Sequence, residues 1–414
     1  MKSSIKHSSG KLLVMISSII LVITGCQKFN WFPPGGGHEV PPVKKINVST
    51  AAQLYAAVND ATNTGALIIL APGTYLLDAT QPNAGRIELL ENMELQGQPG
   101  HAEKVIIDAS VLPGTSFVPP LNFPAAKTGA IRMGRGFNSL EWVTVKGNAT
   151  AQALSVIDAD LIWTGSPSSI RIANCIVTGG RIGIDVRNAG VASAGRILEA
   201  ALTANEITED TVQQGQGIEI QNANGATGAS ILASLRDNYV HGNKVALRAF
   251  NNNANNTPTD SSSIVIQSTN DRFDENGIGL YLFAGLNQGT NTAANGNSLS
   301  FEAHGSSVQN NLGIIPPDVT DPAPCGLYVA AALSVNGADV SNNKLAINLY
   351  GTKISNNNGS DIKAYGALSF KSFPAGTGNT TEIHLDGISK QATIETTASL
   401  PAEPAGTNAI KVFK

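Results

Sequence analysis

Charged and aromatic residues are scarce in this sequence of 414 residues. Only 14% of the residues are Asp, Glu, Lys or Arg, and only 5% are Phe, Trp or Tyr. The formal net charge is -4 at pH 7, so the chain lacks the basic surplus that proteins use to contact nucleic-acid phosphates. The composition therefore argues against nucleic acid as a partner. Histidines do not show the spacing of zinc ligands either, so we predict no metal site of that kind.

The first 25 residues have the plan of a secretory signal peptide. Three lysines precede the apolar run LLVMISSIILVI, and small residues lead into Cys26. The alternative is an uncleaved membrane anchor, but the run is shorter than the roughly 20 apolar residues that span a bilayer. Residues 26–45 mix Pro and Gly without a regular apolar pattern, which predicts an extended tether between Cys26 and the folded body.

The tetrapeptide Ile23-Thr24-Gly25-Cys26 resembles the lipobox of bacterial lipoproteins. The resemblance implies that the Cys26 sulfur receives a diacylglycerol and that Cys26 becomes the first residue of the mature chain. In that family an aspartate after the cysteine directs retention in the inner membrane, whereas this chain has Gln27. In a Gram-negative host the resemblance therefore implies a lipid-anchored protein of the outer membrane, on the cell surface or the periplasmic face.

Segments of short alternating strands recur with a nearly constant period from residue 169 onward. Each copy has an alternating strand, a polar residue, a short strand, a turn and a third alternating strand. The polar residues are Asn174, Asn205, Asn238 and Asp271, at intervals of 31, 33 and 33. Strands this short must stack in successive coils, about 4.8 Å apart, so the repeat predicts an all-β parallel β-helix over residues 46–414. A β-sandwich, the main alternative, does not require a polar corner at constant spacing.

We expect the four polar residues to form a hydrogen-bonded ladder and to adopt the left-handed backbone of a tight corner. A short helix is expected to cover the open first coil. Thr50 and Gln53 are spaced as a capping box, and Ala51, Leu54 and Val58 lie on one helical face. Cys175 and Cys325 fall about four coils apart, roughly 19 Å at the coil spacing, which predicts two free thiols.

The capping helix, the triplets of strands and the ladder at Asn174, Asn205 and Asn238 resemble the pectin-lyase superfamily of right-handed β-helices, over about residues 46–400. The resemblance implies a right-handed, single-stranded β-helix. This superfamily includes polysaccharide lyases, glycoside hydrolases, epimerases, phage tailspikes and adhesins, so the fold does not fix the function. The sequence lacks the WIDH and RxPxxR segments of pectate lyases and the NTD, DD, GHG and RIK set of polygalacturonases.

In enzymes of this superfamily the substrate groove follows the third strand of each coil, and alternation predicts which side chains face outward there. The residues expected to point inward are Ile184, Ile218, Leu247, Leu280, Val329 and Ile362. A first outward column is expected to contain Asp185, Glu219, Arg248, Tyr281, Tyr328 and Lys363. A second outward column is expected to contain Arg187, Gln221, Phe250, Phe283, Ala330 and Tyr365.

Aromatic faces beside charged groups are suited to sugar rings, because CH faces stack on rings and hydroxyls or uronates bond to charges. We therefore predict a polysaccharide partner. The expected substrate-binding residues, with exposed rings, are Arg187, Tyr281, Phe283, Tyr328, Lys363 and Tyr365. Cross-strand packing alone would also explain such a pattern.

Catalysis would need more than a binding groove. Asp185, Glu219 and Arg248 are the candidates for a lyase or a hydrolase, and ion pairing with neighbouring arginines is the alternative reading of the same residues. No cofactor is predicted, although a lyase would use a divalent cation such as calcium to neutralise a uronate. Two classes stay open: a glycan-binding, adhesive or structural lipoprotein, and a polysaccharide lyase or glycoside hydrolase acting in the same groove.

Overall fold

The computed structural model describes residues 44–113, 129–148, 155–160, 167–208, 215–253, 257–288, 294–312, 325–335, 340–369, 376–388, 392–400 and 408–414. The predicted signal peptide, Cys26 and residues 26–43 lie outside the described residues. Within the described ranges, no helix is long and apolar enough to cross a membrane.

The chain is a right-handed parallel β-helix, as predicted. The strands of the described residues are β1 (Lys44–Val48), β2 (Ala66–Leu70), β3 (Gly73–Leu76), β4 (Ile87–Glu88), β5 (Glu94–Gln96), β6 (Val105–Asp108), β7 (Ile131–Arg132), β8 (Phe137–Glu141), β9 (Thr144–Lys146), β10 (Ser155–Ala159), β11 (Ser168–Ala173), β12 (Ile176–Thr178), β13 (Ile182–Ala189), β14 (Ile197–Thr203), β15 (Glu206–Thr208), β16 (Gln216–Ala223), β17 (Ser230–Arg236), β18 (Tyr239–His241), β19 (Val245–Asn253), β20 (Ser263–Thr269), β21 (Ile278–Asn287), β22 (Ser298–His304), β23 (Ser307–Gln309), β24 (Cys325–Ser334), β25 (Lys344–Tyr350), β26 (Lys353–Ser355), β27 (Ile362–Ser369), β28 (Thr380–Asp386), β29 (Ile394–Leu400) and β30 (Ala409–Phe413).

The strands form three long faces in the described part of the chain. Sheet 1 has twelve strands in the order β1-β2-β5-β8-β11-β14-β17-β20-β22-β25-β28-β30. Sheet 2 consists of short strands in the order β3-β6-β9-β12-β15-β18, and β23 pairs with β26 further along. Sheet 3 has ten strands in the order β4-β7-β10-β13-β16-β19-β21-β24-β27-β29. All of these pairings are parallel, as they must be when each coil repeats the path of the one before it.

The helix α1 (Ala51–Asn59) caps the first coils, which confirms the prediction. The Thr50 Oγ1 atom accepts the Gln53 N–H at 3.2 Å. The Gln53 side chain reaches back to the N–H of Ser49 at 2.8 Å, one residue before the N-cap. Leu54 and Val58 are buried in the same hydrophobic core as the coils, so the helix closes the end of that core.

The corner between sheets 1 and 2 carries the predicted ladder, with one correction. The N–H of Asn205 donates to Asn238 Oδ1 at 3.1 Å, and the N–H of Asn238 donates to Asp271 Oδ1 at 2.8 Å. Cys175, not Asn174, occupies the equivalent place on the preceding coil, where its N–H donates to Asn205 Oδ1 at 3.0 Å. The prediction for Asn174 was wrong by one residue.

The left-handed backbone of this corner belongs to the residue before the ladder. Asn174, Ala204, Asp237 and Asn270 have φ between 53° and 57°, whereas the ladder residues that follow them do not have positive φ. We predicted that a single residue would both make the turn and form the ladder, but in the structure two neighbouring residues divide these roles. The first makes the turn, and the second turns its side chain inward to satisfy buried backbone groups.

Further asparagine ladders lie at other corners. In each ladder, the backbone N–H of one asparagine donates to the Oδ1 atom of the asparagine on the next coil, at 2.9 to 3.2 Å. One ladder contains Asn243, Asn276, Asn311 and Asn357, and another contains Asn297, Asn343, Asn379 and Asn408.

The interior is a continuous column of aliphatic side chains. In sheet 3 the aligned inward residues are Ile184, Ile218, Leu247, Leu280, Leu327 and Ile362, all buried. Val329 also points inward and is buried, but it pairs with Leu282 rather than Leu280, so the prediction for that copy was displaced by two residues. Cys175 and Cys325 are free, buried thiols, as expected.

Sheets 1 and 3 differ in how their outer faces meet solvent. Strands such as β14 and β25 in sheet 1 alternate between buried and partly exposed positions. In sheet 3, β16, β21 and β24 are buried at every position. A parallel strand covered on both sides is typically a nearly continuous apolar run, and IGLYLFAGLN and CGLYVAAALS have that character.

Candidate functional site

The candidate site is the outer face of sheet 3, where the two predicted columns are in register. The backbone pairings align Asp185, Glu219, Arg248, Tyr281, Tyr328 and Lys363 on successive strands. They align Arg187, Gln221, Phe250, Phe283, Ala330 and Tyr365 in the same way. The first column continues to Asp158, Arg132 and Glu88 on one side and to Glu395 on the other.

The predicted exposure was wrong for most of this face. Tyr281 is 8% exposed, Tyr328 is 5% exposed and Phe283 is fully buried, while Asp185 and Glu219 have no exposed surface. Alternation correctly separates the inner from the outer face of a strand. It does not report whether the outer face is covered, which depends on what lies over it.

The first half of the face is a network of buried ion pairs centred on Arg187. The Arg187 guanidinium lies 3.0 Å from Asp160, 3.3 Å from Asp158 and 3.6 Å from Asp185. Arg132 joins the same network, at 2.8 Å from Asp160 and 2.9 Å from Glu88. Three carboxylates around one guanidinium offset much of the cost of burying these charges.

The proposed catalytic residues belong to this network. The Nη1 atom of Arg248 lies 3.4 Å from Glu219 Oε2. The amide of Gln221 donates to Glu219 Oε1 at 2.6 Å and to Asp185 Oδ1 at 3.4 Å. Asp185 also accepts from Ser155 Oγ at 3.4 Å. The structure thus brings Asp185, Glu219 and Arg248 together, but it engages each of them with a protein partner.

One acid in the network is harder to ionise than an ordinary aspartate. Burial raises the pKa of Asp158 well above its ordinary value, and Asp160 raises it further, against the opposing effect of Arg187. One oxygen of Asp158 contacts Arg187, while Oδ1 is buried without a hydrogen-bond partner among the described residues. For Arg187, burial disfavours the charge, but the surrounding carboxylates outweigh it and raise the pKa.

Charged groups of both signs alternate along this part of the face. The guanidinium groups are those of Arg86, Arg132, Arg187 and Arg248, and the carboxyl groups are those of Glu88, Asp158, Asp160, Asp185 and Glu219. A fifth buried guanidinium, that of Arg196, also interacts electrostatically with Asp160.

The second half of the face is a strip of stacked aromatic rings, which we call the aromatic strip: Phe250, Tyr281, Phe283, Tyr328 and Tyr365. It begins where the Arg248 guanidinium lies 4.4 Å above the Phe250 ring. The ring centroids of Tyr281 and Tyr328 are 5.6 Å apart, and those of Tyr328 and Tyr365 are 5.3 Å apart. Burial raises the pKa of Tyr328, so its phenol stays neutral.

The aromatic strip reaches solvent at its last rungs. Tyr365 and Lys363 are partly exposed, and the neighbouring Glu395 is exposed. A sugar ring approaching this end would meet an aromatic face, an ammonium group and a carboxylate. Of the six predicted substrate-binding residues, Tyr365 and Lys363 are therefore accessible, while Arg187, Tyr281, Phe283 and Tyr328 are buried.

Sequence reasoning missed Asp158, Asp160, Arg132 and Glu88, which complete the charged half. Their strands are short, and they precede the copies in which the repeat is regular. The alternation of Asp158 and Asp160 in SVIDAD was the available signal. Among the described residues, no group of three or more His, Cys, Asp or Glu side chains is arranged to hold a metal ion.

The sequence matches no protein-family model and none of the curated proteins. Its structure is similar to pectate lyase Pel9A, with a TM-score of 0.39 and 14% identity over 86% of this chain and 79% of that chain. It is also similar to PfbA, a surface adhesin of Streptococcus pneumoniae, with a TM-score of 0.29 and 12% identity over 88% and 86%. For the PL6 family alginate lyase AlyGC the TM-score is 0.26 and the identity is 13%, over 89% of this chain and 75% of that chain.

Proposed function

We propose that this protein is an outer-membrane lipoprotein, anchored through Cys26, whose β-helix binds polysaccharide without cleaving it. The observation that carries the proposal is the aromatic strip, which is partly exposed at Tyr365 beside Lys363. A ring face that stacks on sugar CH groups and an ammonium group that pairs with carboxylate favour an acidic polysaccharide.

Binding is favoured over turnover because the candidate acids are already engaged. A general acid or base must reach the substrate proton, within about 3 Å. Asp185 and Glu219 are fully buried, and both accept a hydrogen bond from Gln221. Their carboxylates belong to the ion-pair network, which lies on the same face as the aromatic strip.

An array of acidic and neutral glycans, followed by an assay for unsaturated product, tests the proposal. We expect retention of an acidic glycan with no rise in ultraviolet absorbance and no new reducing ends. Tyr365→Ala should weaken binding by about 0.5 to 1.5 kcal/mol, the usual strength of an aromatic contact. Tyr350→Ala is the matched control, because Tyr350 is a partly exposed tyrosine on sheet 1. Product formation, or equal loss in both variants, would contradict the proposal.

The anchor is tested separately. Cys26→Ser removes the sulfur that would carry the lipid, so the variant should leave the membrane fraction and lose incorporation of labelled acyl chains. Unchanged fractionation, with no label on the parent protein, would refute lipidation without bearing on the aromatic strip.

A further inference from the structure

A groove lies at the first coils of sheet 1, away from the outer face of sheet 3. It has a volume of about 490 Å³ and lies between the ends of β1, β2 and β5 and the start of α1. Asn47, Ile69 and Gln96 are paired on adjacent strands and line its floor. The turns after β2 and β5 contribute Pro72 and Pro99.

The groove is lined by side-chain amides, aliphatic groups and the Ser49 hydroxyl. None of its twelve lining residues, all in the described part of the chain, carries an ionisable side chain. Gln53 turns its oxygen to Ser49, which leaves its NH₂ group available. In the described structure the side-chain amides of Asn47, Gln96 and Gln98 make no hydrogen bond to the protein. Each such amide offers two donors and an acceptor.

This chemistry selects a neutral, polyhydroxylated ligand. Burying a charged group here would remove it from water without an opposite charge to pair with it. Hydroxyl groups can exchange their water for amide donors and acceptors, and sugar CH faces fit Ile69 and the two prolines. An extended peptide would pair with the free edge of β1 rather than with the floor of the groove, where β2 is paired on both sides, to β1 and to β5.

An unusual tryptophan follows the strand next to the groove, because Trp142 comes directly after Glu141, which pairs with the lining residue Gln96. Trp142 has a left-handed backbone, with φ of 59°, at the corner position that Asn174, Ala204 and Asp237 occupy on later coils. A bulky side chain is disfavoured in that conformation, so the tryptophan at this corner points to a role other than folding. Its carbonyl packs against Gly97, which lines the groove, and a Cβ atom on Gly97 would lie 2.0 Å from it. The indole is partly exposed.

We infer that this groove, with Trp142 packed against its lining residue Gly97, is a binding site for a neutral oligosaccharide. The amides of Gln96 and Gln98 hold the hydroxyl groups, the aliphatic floor packs against the ring, and the indole supplies a stacking surface. The site is separate from the aromatic strip and differs from it in charge, so the two sites can bind different types of glycan.

The test uses the full chain labelled with ¹⁵N at its tryptophan indoles, of which there are three, Trp31, Trp142 and Trp163. Cellotetraose, mannotetraose and xylotetraose are titrated one at a time, with tetragalacturonate as the charged comparison. The Trp142→Asn spectrum assigns the signal. We expect the Trp142 indole to shift saturably with at least one neutral tetrasaccharide, and the double variant Gln96→Ala/Gln98→Ala to weaken that binding at least tenfold.

Two controls separate binding from folding and from the aromatic strip. Gln267→Ala removes a partly exposed glutamine from the same sheet and should leave the titration unchanged, as should Tyr365→Ala. Trp142→Asn should lose binding while keeping a melting temperature at or above that of the parent, because asparagine suits the corner. The inference is overturned if no neutral sugar moves the Trp142 signal, if the double variant binds as tightly as the parent, or if tetragalacturonate binds better.

Discussion

The corner ladder contains an ionisable residue whose protonation should set the pH dependence of folding. Asp271 continues the series of Asn205 and Asn238, with its Oδ1 accepting from both the N–H and the side-chain amide of Asn238 at 2.8 Å. Its Oδ2 accepts from Ser268 Oγ at 2.6 Å. Burial raises the pKa of Asp271 from 3.8 to about 6 in spite of these hydrogen bonds. A rise of that size corresponds to about 3 kcal/mol of unfavourable free energy for the ionised form.

The sign of the effect follows from which state binds the proton more tightly. The unfolded chain releases the Asp271 proton near pH 4, and the folded protein releases it near pH 6. The stabilising contribution is therefore complete below about pH 4 and is lost as the pH rises through 6. Asp271→Asn keeps the accepting oxygen and removes the charge, so at pH 7.5 we expect the variant to be more stable than the parent by up to about 3 kcal/mol.

Urea unfolding at pH 4.5, 5.5, 6.5 and 7.5, at constant ionic strength, measures this difference. The gain from Asp271→Asn should be small at pH 4.5 and should grow towards pH 7.5. Asp237→Asn is the matched control, since Asp237 is an exposed aspartate at the same corner of the preceding coil. A stability difference that is constant across this pH range, or a variant less stable than the parent at pH 7.5, would refute the reasoning.

Three further predictions, made with five substitutions, test the scaffold through the free energy of unfolding. Asn238→Leu should cost about 1 to 3 kcal/mol, because it leaves buried backbone groups unpaired. A variant as stable as the parent would contradict the role of the ladder. Asp185→Asn should cost about 3 kcal/mol by withdrawing a carboxylate from buried Arg187. Asp158→Asn should cost less, because burial and Asp160 raise the pKa of Asp158 and so disfavour its charged form; equal costs would contradict this difference between the two acids. Tyr281→Ala should destabilise by about 3 kcal/mol, comparable to Leu280→Ala, because both side chains are buried. A Tyr281→Ala variant as stable as the parent would instead support the exposed strip that the sequence predicted.

Several features of the fold were predictable because stacked parallel coils repeat one another. The interval between Asn205, Asn238 and Asp271 fixed the length of a coil, and alternation by two then placed Asp185, Glu219 and Arg248 in one column, as the backbone pairings confirm. The same logic would have found the ladder through Asn243 and Asn276, which are also 33 residues apart. Asn174 was misplaced because turn residues and ladder residues are both short and polar, and only the backbone dihedrals distinguish them.

The sequence by itself determined the coil, its register and which side chains face away from the core. Only the tertiary structure decided that the outer face of sheet 3 is buried, that Tyr365 is accessible where Phe283 is not, and that Arg132, Asp160 and Arg187 form one network. Local pattern reports the direction of a side chain, because direction is set by the backbone of its own strand. Exposure and charge pairing depend on groups contributed by distant coils and connections, and no periodicity within a strand encodes where those groups come to lie.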